Sequence, residues 1–264
     1  IDMSARLINQ YKPDRLALCL DGDWRPSWRV ELFPGYKLNR VDDDGEEEQE
    51  PDLLTPQVPL ILDFFEAAGI AIVGMDDYEA DDVIATFATR EKGPIRIATG
   101  DRDLFQLVDE ERDVKVAYLA KGISNHDLVN HSWIEKKYEI PGERYALFAM
   151  IRGDASDGLP GIKGIGEKGA AEIAKNYSSM AELLEAAKAD DPKLSPNHRK
   201  KILADLNYAS VADRLVQCAR DVNLPEIDLS IPNSAKNAKY LETMKSDYGL
   251  GASVDRLLSA FNWS

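Results

Sequence analysis

The chain lacks long apolar runs, paired cysteines and any signal-like start. No apolar stretch among its 264 residues approaches the roughly 20 residues that a membrane-spanning helix requires. The two cysteines, Cys19 and Cys218, lie in apolar contexts without zinc-site spacing, which favours free thiols in a reducing compartment. We therefore expect a soluble, cytoplasmic protein with no membrane partner.

Basic residues and histidines are also scarce. The net charge of −15 argues against a general basic surface that holds nucleic acid, so such a site would have to be local. Residues 42–50 contain seven acidic side chains in nine positions, which is typical of a solvated loop and adds to the negative charge. His126, His131 and His198 show neither metal-ligand nor triad spacing, and no G-x-S-x-G motif occurs, so nucleophilic triad chemistry finds little support.

Carboxylates are abundant where β-like runs end. Such runs at 15–20, 70–73 and 95–99 are each followed by acidic residues, and a fourth acidic group lies further along the chain. Carboxylates that converge in a fold need cations, and oxygen ligands favour hard divalent ions such as magnesium or manganese. The pattern therefore predicts a metal-dependent enzyme that acts on phosphate. The residues are Asp21; Glu79, Asp81 and Asp82; Asp101 and Asp103; and Asp154 and Asp157.

Strand and helix patterns alternate in the first half. We predict helices over 1–11, 58–68 and 78–88, and a further strand over 114–119. This alternation predicts a mostly parallel α/β sheet flanked by helices, with ligands beyond the carboxyl ends of its strands. From about residue 127 the pattern becomes helical, with one further strand expected over 223–231. We expect an α/β domain over 1–132 and a helical region over 133–264.

A glycine-rich segment lies within the helical region. Residues 164–169 match the G-x-G-x-x-G dinucleotide pattern, but they follow no strand, so we reject that interpretation. Residues 161–168 instead alternate glycine with apolar residues between two helical segments. We interpret them as a hairpin between helices that presents backbone N–H groups and lysines to a phosphate backbone.

Aromatic and basic residues alternate directly after Asp21. Trp24, Trp28 and Tyr36 are interleaved with four basic residues, namely Arg25, Arg29, Lys37 and Arg40. Two interpretations stay open: a helix that packs its aromatic rings, or a surface that stacks and neutralises a substrate strand.

These motifs together resemble the 5′ nuclease superfamily, which includes bacterial 5′-3′ exonucleases, flap endonucleases and the amino-terminal nuclease domain of DNA polymerase I. The resemblance covers nearly the whole chain and implies a PIN-like α/β core followed by a helix-three-turn-helix module, a form of helix-hairpin-helix. The segments that carry it are 20–22, 35–37, 78–82, 99–104 and 153–168.

The resemblance also implies roles for individual residues. The eight carboxylates named above would hold two or more Mg²⁺ or Mn²⁺ ions directly, through water or as outer groups. Lys37 and Arg40 would contact the scissile phosphate at the base of a helical gateway, with Arg29 as a further phosphate contact. DNA would be held by Tyr36 beside the gateway and by Gly161, Lys163, Gly164, Gly166 and Lys168 at the hairpin, where members of the family often place a potassium ion.

The expected activity is cleavage of a 5′ flap and of 5′-ended duplex DNA by two-metal-ion hydrolysis, by a monomer that acts in replication and repair. The family also carries an aspartate on a first strand, which we expect to precede Ile1. The end of the sequence after a helical run favours a free-standing protein. Two alternatives remain: a catalytically impaired DNA-junction binding module, and a PIN-type ribonuclease. Cleavage of RNA in an RNA-DNA hybrid is left open.

Overall fold

The computed structural model describes residues 1–41 and 55–263. The acidic run that we predicted to be a solvated loop, residues 42–50, lies outside the described residues. No helix in the described part of the chain is both long and apolar enough to cross a bilayer. Cys19 and Cys218 are free thiols.

Two small sheets carry the acidic segments. The first pairs β1 with β2 in parallel, with Cys19 opposite Val73. The second has the order β3-β4-β5, in which β3 and β4 are parallel and β5 is antiparallel to β4. The described strands are β1 (Ala17–Cys19), β2 (Ala71–Val73), β3 (Ile95–Thr99), β4 (Val114–Tyr118) and β5 (Asp127–Val129).

Helices surround these strands and make up most of the second half. They are α1 (Asp2–Tyr11), α2 (Ser27–Leu32), α3 (Val58–Ala68), α4 (Ala80–Arg90), α5 (His131–Tyr138), α6 (Tyr145–Arg152), α7 (Glu167–Ala174), α8 (Met180–Ala189), α9 (Pro196–Ala204), α10 (Leu206–Ala209), α11 (Ala212–Val216), α12 (Ala238–Asp247) and α13 (Gly251–Ala260). Short 3₁₀ turns occur at Leu38–Arg40, Thr55–Gln57, Asp103–Leu107, Leu119–Lys121, Ile123–Asn125 and Gly142–Arg144.

Helix α4 shows how local sequence sets an element that positions the site. Glu79 and Asp82 form a reciprocal capping box at its start, which satisfies backbone donors that the helix leaves unpaired. Val83 and Phe87, one turn apart, are buried on the core side. The same helix therefore anchors itself with apolar residues and starts with carboxylates.

The buried residues of the described ranges form three clusters. The largest extends from α4 and β3 through α11, so strands of the first half and helices of the second share one core. A second cluster joins α1 and α3 to α12 and α13, which come from opposite ends of the sequence. A third places residues 222–229 against β2 and α4. Late segments of the chain thus pack directly on the elements that carry early carboxylates.

The predicted α/β architecture is confirmed, with β3 and α3 at their predicted limits. The strand expected over 223–231 is wrong, since the described residues there form only an isolated bridge between Arg15 and Ser230. Antiparallel strand β5 was not predicted, because we interpreted the chain after residue 127 as helical. With three residues and an exposed Leu128, this edge strand is too short to show periodicity.

Candidate active site

An acidic pocket lies past the end of β3. Its volume is about 290 Å³, and Asp101, Asp103, Asp154 and Asp157 all line it. The first two follow β3 directly, and the other two belong to the turn that follows α6. The fold thus brings together two carboxylate pairs that lie about 50 residues apart in the sequence.

Asp21 and Asp81 belong to the neighbouring sheet edge. Asp21 comes two residues after β1, and its Oδ1 accepts a hydrogen bond of 2.6 Å from the backbone N–H of Ala80 at the start of α4. Asp81 is the next residue of that helix, and its carboxylate is subject to repulsion from both Asp101 and Asp21. Three carboxylates from three segments therefore share one electrostatic environment.

Two carboxylates of the site, Asp81 and Asp103, have raised pKa values. Burial, followed by repulsion from Asp101, raises the pKa of Asp81 to about 7, and the same two causes raise the pKa of Asp103 to about 7. Within the described residues, neither carboxylate accepts a hydrogen bond or forms an ion pair. A buried acidic group without a partner is what a bound cation would stabilise.

The turn after α6 is internally braced. Asp154 Oδ1 accepts hydrogen bonds from the Ser156 backbone N–H at 2.8 Å and from the Ser156 hydroxyl, while Oδ2 accepts one from Arg102 at 2.6 Å. Although burial opposes ionisation, these bonds keep the pKa of Asp154 below its ordinary value. Asp157 has a raised pKa, chiefly through burial, although it pairs with Arg40. Arg102 was not assigned a role from sequence.

A largely buried network of charged side chains surrounds Glu79 and Asp82 at the start of α4. Arg29 donates to Glu79 at 2.6 Å and to both oxygens of Asp82 at 2.8 and 2.7 Å. Glu79 also accepts a hydrogen bond of 2.6 Å from the Tyr36 hydroxyl and pairs with the ammonium of Lys37. The exposed fractions are 3% for Arg29, 3% for Tyr36 and 0% for Asp82. These side chains hold one another in place, and Lys37 is the most exposed of them.

This network bears on three of our expectations. Because Arg29 and Tyr36 are buried, the structure gives them contacts with protein carboxylates, whereas the sequence predicted contacts with DNA. Asp82 is enclosed by donors and is therefore better placed to orient its neighbours than to ligate an ion. The basic and aromatic segment is mainly packed, which favours the first of its two interpretations.

Lys37 and Arg40 contact the turn that follows α6 and carries Asp154 and Asp157, which we call the acidic turn. The backbone N–H of Lys37 donates to Asp157 O at 2.9 Å, and Arg40 Nε donates to Ser156 O at 3.1 Å. Asn39 donates to the same carbonyl at 3.2 Å. A side chain at Gly158 would approach Gly35 O to 2.4 Å, so this contact requires glycine. Burial lowers the pKa of Lys37, whose side chain is 10% exposed.

The predicted hairpin lies between α6 and α7. Gly161 and Gly164 have φ of 64° and 81°, and Gly166 is the N-cap of α7 without a side-chain cap. A side chain at Gly161 would approach Ile151 O to 2.5 Å, which explains the requirement for glycine there. Lys163 and Lys168 are exposed. The turn therefore presents open backbone N–H groups and two lysines to solvent, as a phosphate backbone needs.

The donor set suits hard divalent cations. The four aspartates that line the pocket offer oxygen ligands, and burial together with repulsion from Asp101 raises the pKa of Asp103 and of Asp81. Among the described residues, no three acidic, histidine or cysteine side chains already stand around one point as ligands.

Comparisons with known proteins agree with this arrangement. Two family models match: 5′-3′ exonuclease, N-terminal resolvase-like domain, over residues 1–139, and 5′-3′ exonuclease, C-terminal SAM fold, over 140–239. A 5′-3′ exonuclease of Streptomyces coelicolor is 44% identical over 265 residues, which covers 98% of this chain and 87% of that protein.

Solved structures show the same fold. The zinc-bound T5 5′-exonuclease matches with a TM-score of 0.63 and 16% identity, over 97% of this chain and 87% of that one. A bacteriophage T5 flap endonuclease in complex with DNA and metal ions matches with a TM-score of 0.61 and 15% identity, over the same shares of the two chains. At these identities the likeness concerns the fold alone.

Proposed function

The chain belongs to the 5′-3′ exonuclease family and is a metal-dependent 5′ nuclease, and we propose that it cuts DNA at the junction of a 5′ single-stranded arm and a duplex. The observation that carries this proposal is the acidic pocket, in which two carboxylate pairs from distant segments of the sequence converge. The catalytic core would comprise residues 1–132, and the helical region 133–264 would hold the substrate and supply Asp154 and Asp157 to the acidic pocket.

We assign the metal site to six of the eight predicted carboxylates. Bound Mg²⁺ or Mn²⁺ would activate water and stabilise the charge of the phosphate and of the leaving oxygen. Glu79 and Asp82, which are held by Arg29, would support the frame of the site. The proposed ligands, direct or through water, are Asp21, Asp81, Asp101, Asp103, Asp154 and Asp157.

Lys37 and Arg40 are the proposed phosphate contacts. Both residues contact the turn that carries Asp154 and Asp157, and the ammonium of Lys37 forms an ion pair with Glu79. In the hydrolysis, a water oxygen bonds to phosphorus while the bond to the 3′ oxygen breaks. The products are a 5′-phosphate and a 3′-hydroxyl. A cation beside the phosphate stabilises the charge that develops during this displacement.

The hairpin is the proposed duplex contact. Gly164 and Gly166 are exposed and offer backbone N–H groups, whereas Gly161 is buried and shapes the turn. Lys163 and Lys168 add positive charge outside the acidic pocket. Carbonyl groups of the same turn could hold a potassium ion. Because these are backbone contacts, recognition would depend on the shape of the junction and not on base sequence. We propose a monomer that acts on branched or 5′-ended DNA.

Substrate competition tests this function. Wild-type protein is incubated with a 5′-flap DNA, an RNA-DNA hybrid and single-stranded RNA, each with Mg²⁺, Mn²⁺ or chelator. We expect metal-dependent incision next to the flap junction and a product with a 5′-phosphate. Tight flap binding without incision under either metal would favour a binding module, and preferred cleavage of single-stranded RNA would favour a PIN-type ribonuclease.

A further inference from the structure

Residues 216–222 begin at the last residue of α11 and continue beyond it. They contact two segments that carry carboxylates of the site, the 3₁₀ turn with Asp103 and the start of α4 with Asp81. On one side they meet the 3₁₀ turn Asp103–Leu107, and on the other they meet the first two turns of α4. We call this segment the strap. It is supplied by the part of the chain that matches the C-terminal family model, whereas both of its targets lie in the part that matches the N-terminal one.

Gln106 connects the strap to the Asp103 turn. Its side-chain amide donates to Val216 O at 3.0 Å and to Asp103 O at 3.0 Å, and its Oε1 accepts from Cys218 N at 3.1 Å. The hydrogen-bonding capacity of this amide is therefore used to tie two strap residues to the backbone of Asp103. The backbone carbonyl of Gln106 also accepts a hydrogen bond of 3.0 Å from Arg220.

Asp82 and Thr86 connect the strap to α4. The backbone N–H of Ala219 donates to Asp82 Oδ1 at 2.7 Å, on the carboxylate that Arg29 also holds. One turn later, Thr86 Oγ1 lies 3.3 Å from Ala219 O and accepts from Val222 N at 3.3 Å. Successive residues of one strap thus reach α4 and the Asp103 turn.

We propose that the strap sets the distance between the carboxylates of α4 and those that follow β3, and that Gln106 is a positioning residue for metal binding. This inference rests on the proposed function, because it concerns the same acidic site. The two carboxylates that lack partners, Asp81 and Asp103, lie on the two segments that the strap joins. Carboxylates bind a shared ion more tightly when contacts outside the site hold them in position and resist the repulsion between them.

The test uses four variants of the whole chain. Gln106→Ala removes all three side-chain contacts, and Gln106→Glu retains an acceptor for Cys218 while losing both donors. Thr86→Val removes the contacts of Thr86 with Ala219 and Val222 with little change of shape, while the bond from the Ala219 N–H to Asp82 remains. Gln217→Ala is the matched control, because Gln217 lies in the strap and its side chain, within the described residues, bonds only to Asp213. The measurements are Mn²⁺ affinity by calorimetry, and kcat and KM on a 5′-flap DNA.

Outer-shell changes commonly cost 10-fold to 100-fold in metal affinity or activity. We expect Gln106→Ala to weaken Mn²⁺ binding about 10-fold and to lower kcat by a similar factor, with KM for the flap unchanged. Gln106→Glu and Thr86→Val should shift both quantities in the same direction, and Gln217→Ala should match wild type. Wild-type Mn²⁺ affinity and kcat in a folded Gln106→Ala protein would overturn the proposal, as would a rise in KM alone.

Hydrogen exchange on the wild-type chain keeps the test independent of whether a variant folds. If the strap is coupled to the acidic site, Mn²⁺ should slow exchange of the Cys218 and Ala219 amides at least 10-fold. Exchange that is unaffected by saturating Mn²⁺ would also overturn the proposal. If wild-type protein binds Mn²⁺ but cuts no DNA, the proposed function fails, while the affinity and exchange measurements still decide the role of the strap.

Discussion

Replacement of Arg29 by methionine separates the two roles that sequence and structure give this residue. Arg29 is 3% exposed, and its guanidinium donates three hydrogen bonds to two buried carboxylates. Methionine has a similar length but no donors, so the variant keeps the volume and leaves Glu79 and Asp82 with uncompensated charge. If Arg29 instead contacted DNA phosphate, the variant would fold normally and bind DNA less tightly.

The magnitude follows from the remaining partners. Removing one member of a buried ion pair costs about 3–5 kcal/mol. Glu79 keeps Lys37 and Tyr36, and Asp82 keeps the backbone N–H of Ala219, so we expect the lower end of that range, about 3 kcal/mol. For a chain of this size, that loss corresponds to a fall of roughly 6–12 °C in Tm.

The assay measures the free energy of unfolding in urea with chelator present, and the affinity for a 5′-flap DNA as a function of salt concentration. Arg25→Met is the matched control, because Arg25 donates to the carbonyls of Tyr36 and Pro34 at 2.7 and 3.1 Å and should contribute only about 1 kcal/mol. A stability of Arg29→Met within 1 kcal/mol of wild type would refute the buried-clamp reasoning. If the slope of log binding constant against log salt concentration also fell in magnitude by about one, Arg29 would be a phosphate contact, because the loss of one such contact predicts that change.

Three further outcomes are expected. Lys37→Ala should lower single-turnover cleavage about 100-fold or more while duplex affinity in chelator stays near wild type, and equal losses in both would count against phosphate contact during the reaction. Lys163→Ala should weaken binding to all duplex sequences alike and reduce the salt slope by about one, so an unchanged slope would exclude this lysine from the interface. In chelator, Asp103→Asn should be more stable than wild type at pH 8 and should lose that advantage as the pH falls to 4. The native pKa of Asp103 is about 7 and exceeds the unfolded value, so wild type loses stability as pH rises through that window; a constant difference would contradict this burial.

Sequence reasoning was most successful where chemistry and local pattern coincide. Acidic residues after β-like runs identified the sheet edge, because a parallel sheet brings the carboxyl ends of its strands together. Gly161 and Gly164 of the hairpin have positive φ, a conformation that few other residues tolerate, so a glycine-rich pattern is expected at such a turn. In both cases the informative residues lie within a few positions of the element that places them.

Long-range partners could not be predicted in this way. Arg29 has the sequence context of a phosphate contact, yet the fold places Asp82 and Glu79 against its guanidinium and excludes solvent. Gln106 carries no motif, and its contacts with residues 216 and 218 depend on how the end of α11 packs. Such contacts depend on tertiary packing, and local periodicity does not encode them.

Incision of a 5′-flap DNA under single-turnover conditions tests the central claim most directly. Wild type, Asp101→Asn and the surface control Asp213→Asn would be compared with Mn²⁺ and with chelator. The acidic pocket predicts metal-dependent incision at the junction by wild type and by the control, and loss of incision in Asp101→Asn with flap binding intact. Incision by Asp101→Asn at the wild-type rate, or by wild type in chelator, would contradict the assignment of this pocket as the metal-dependent active site.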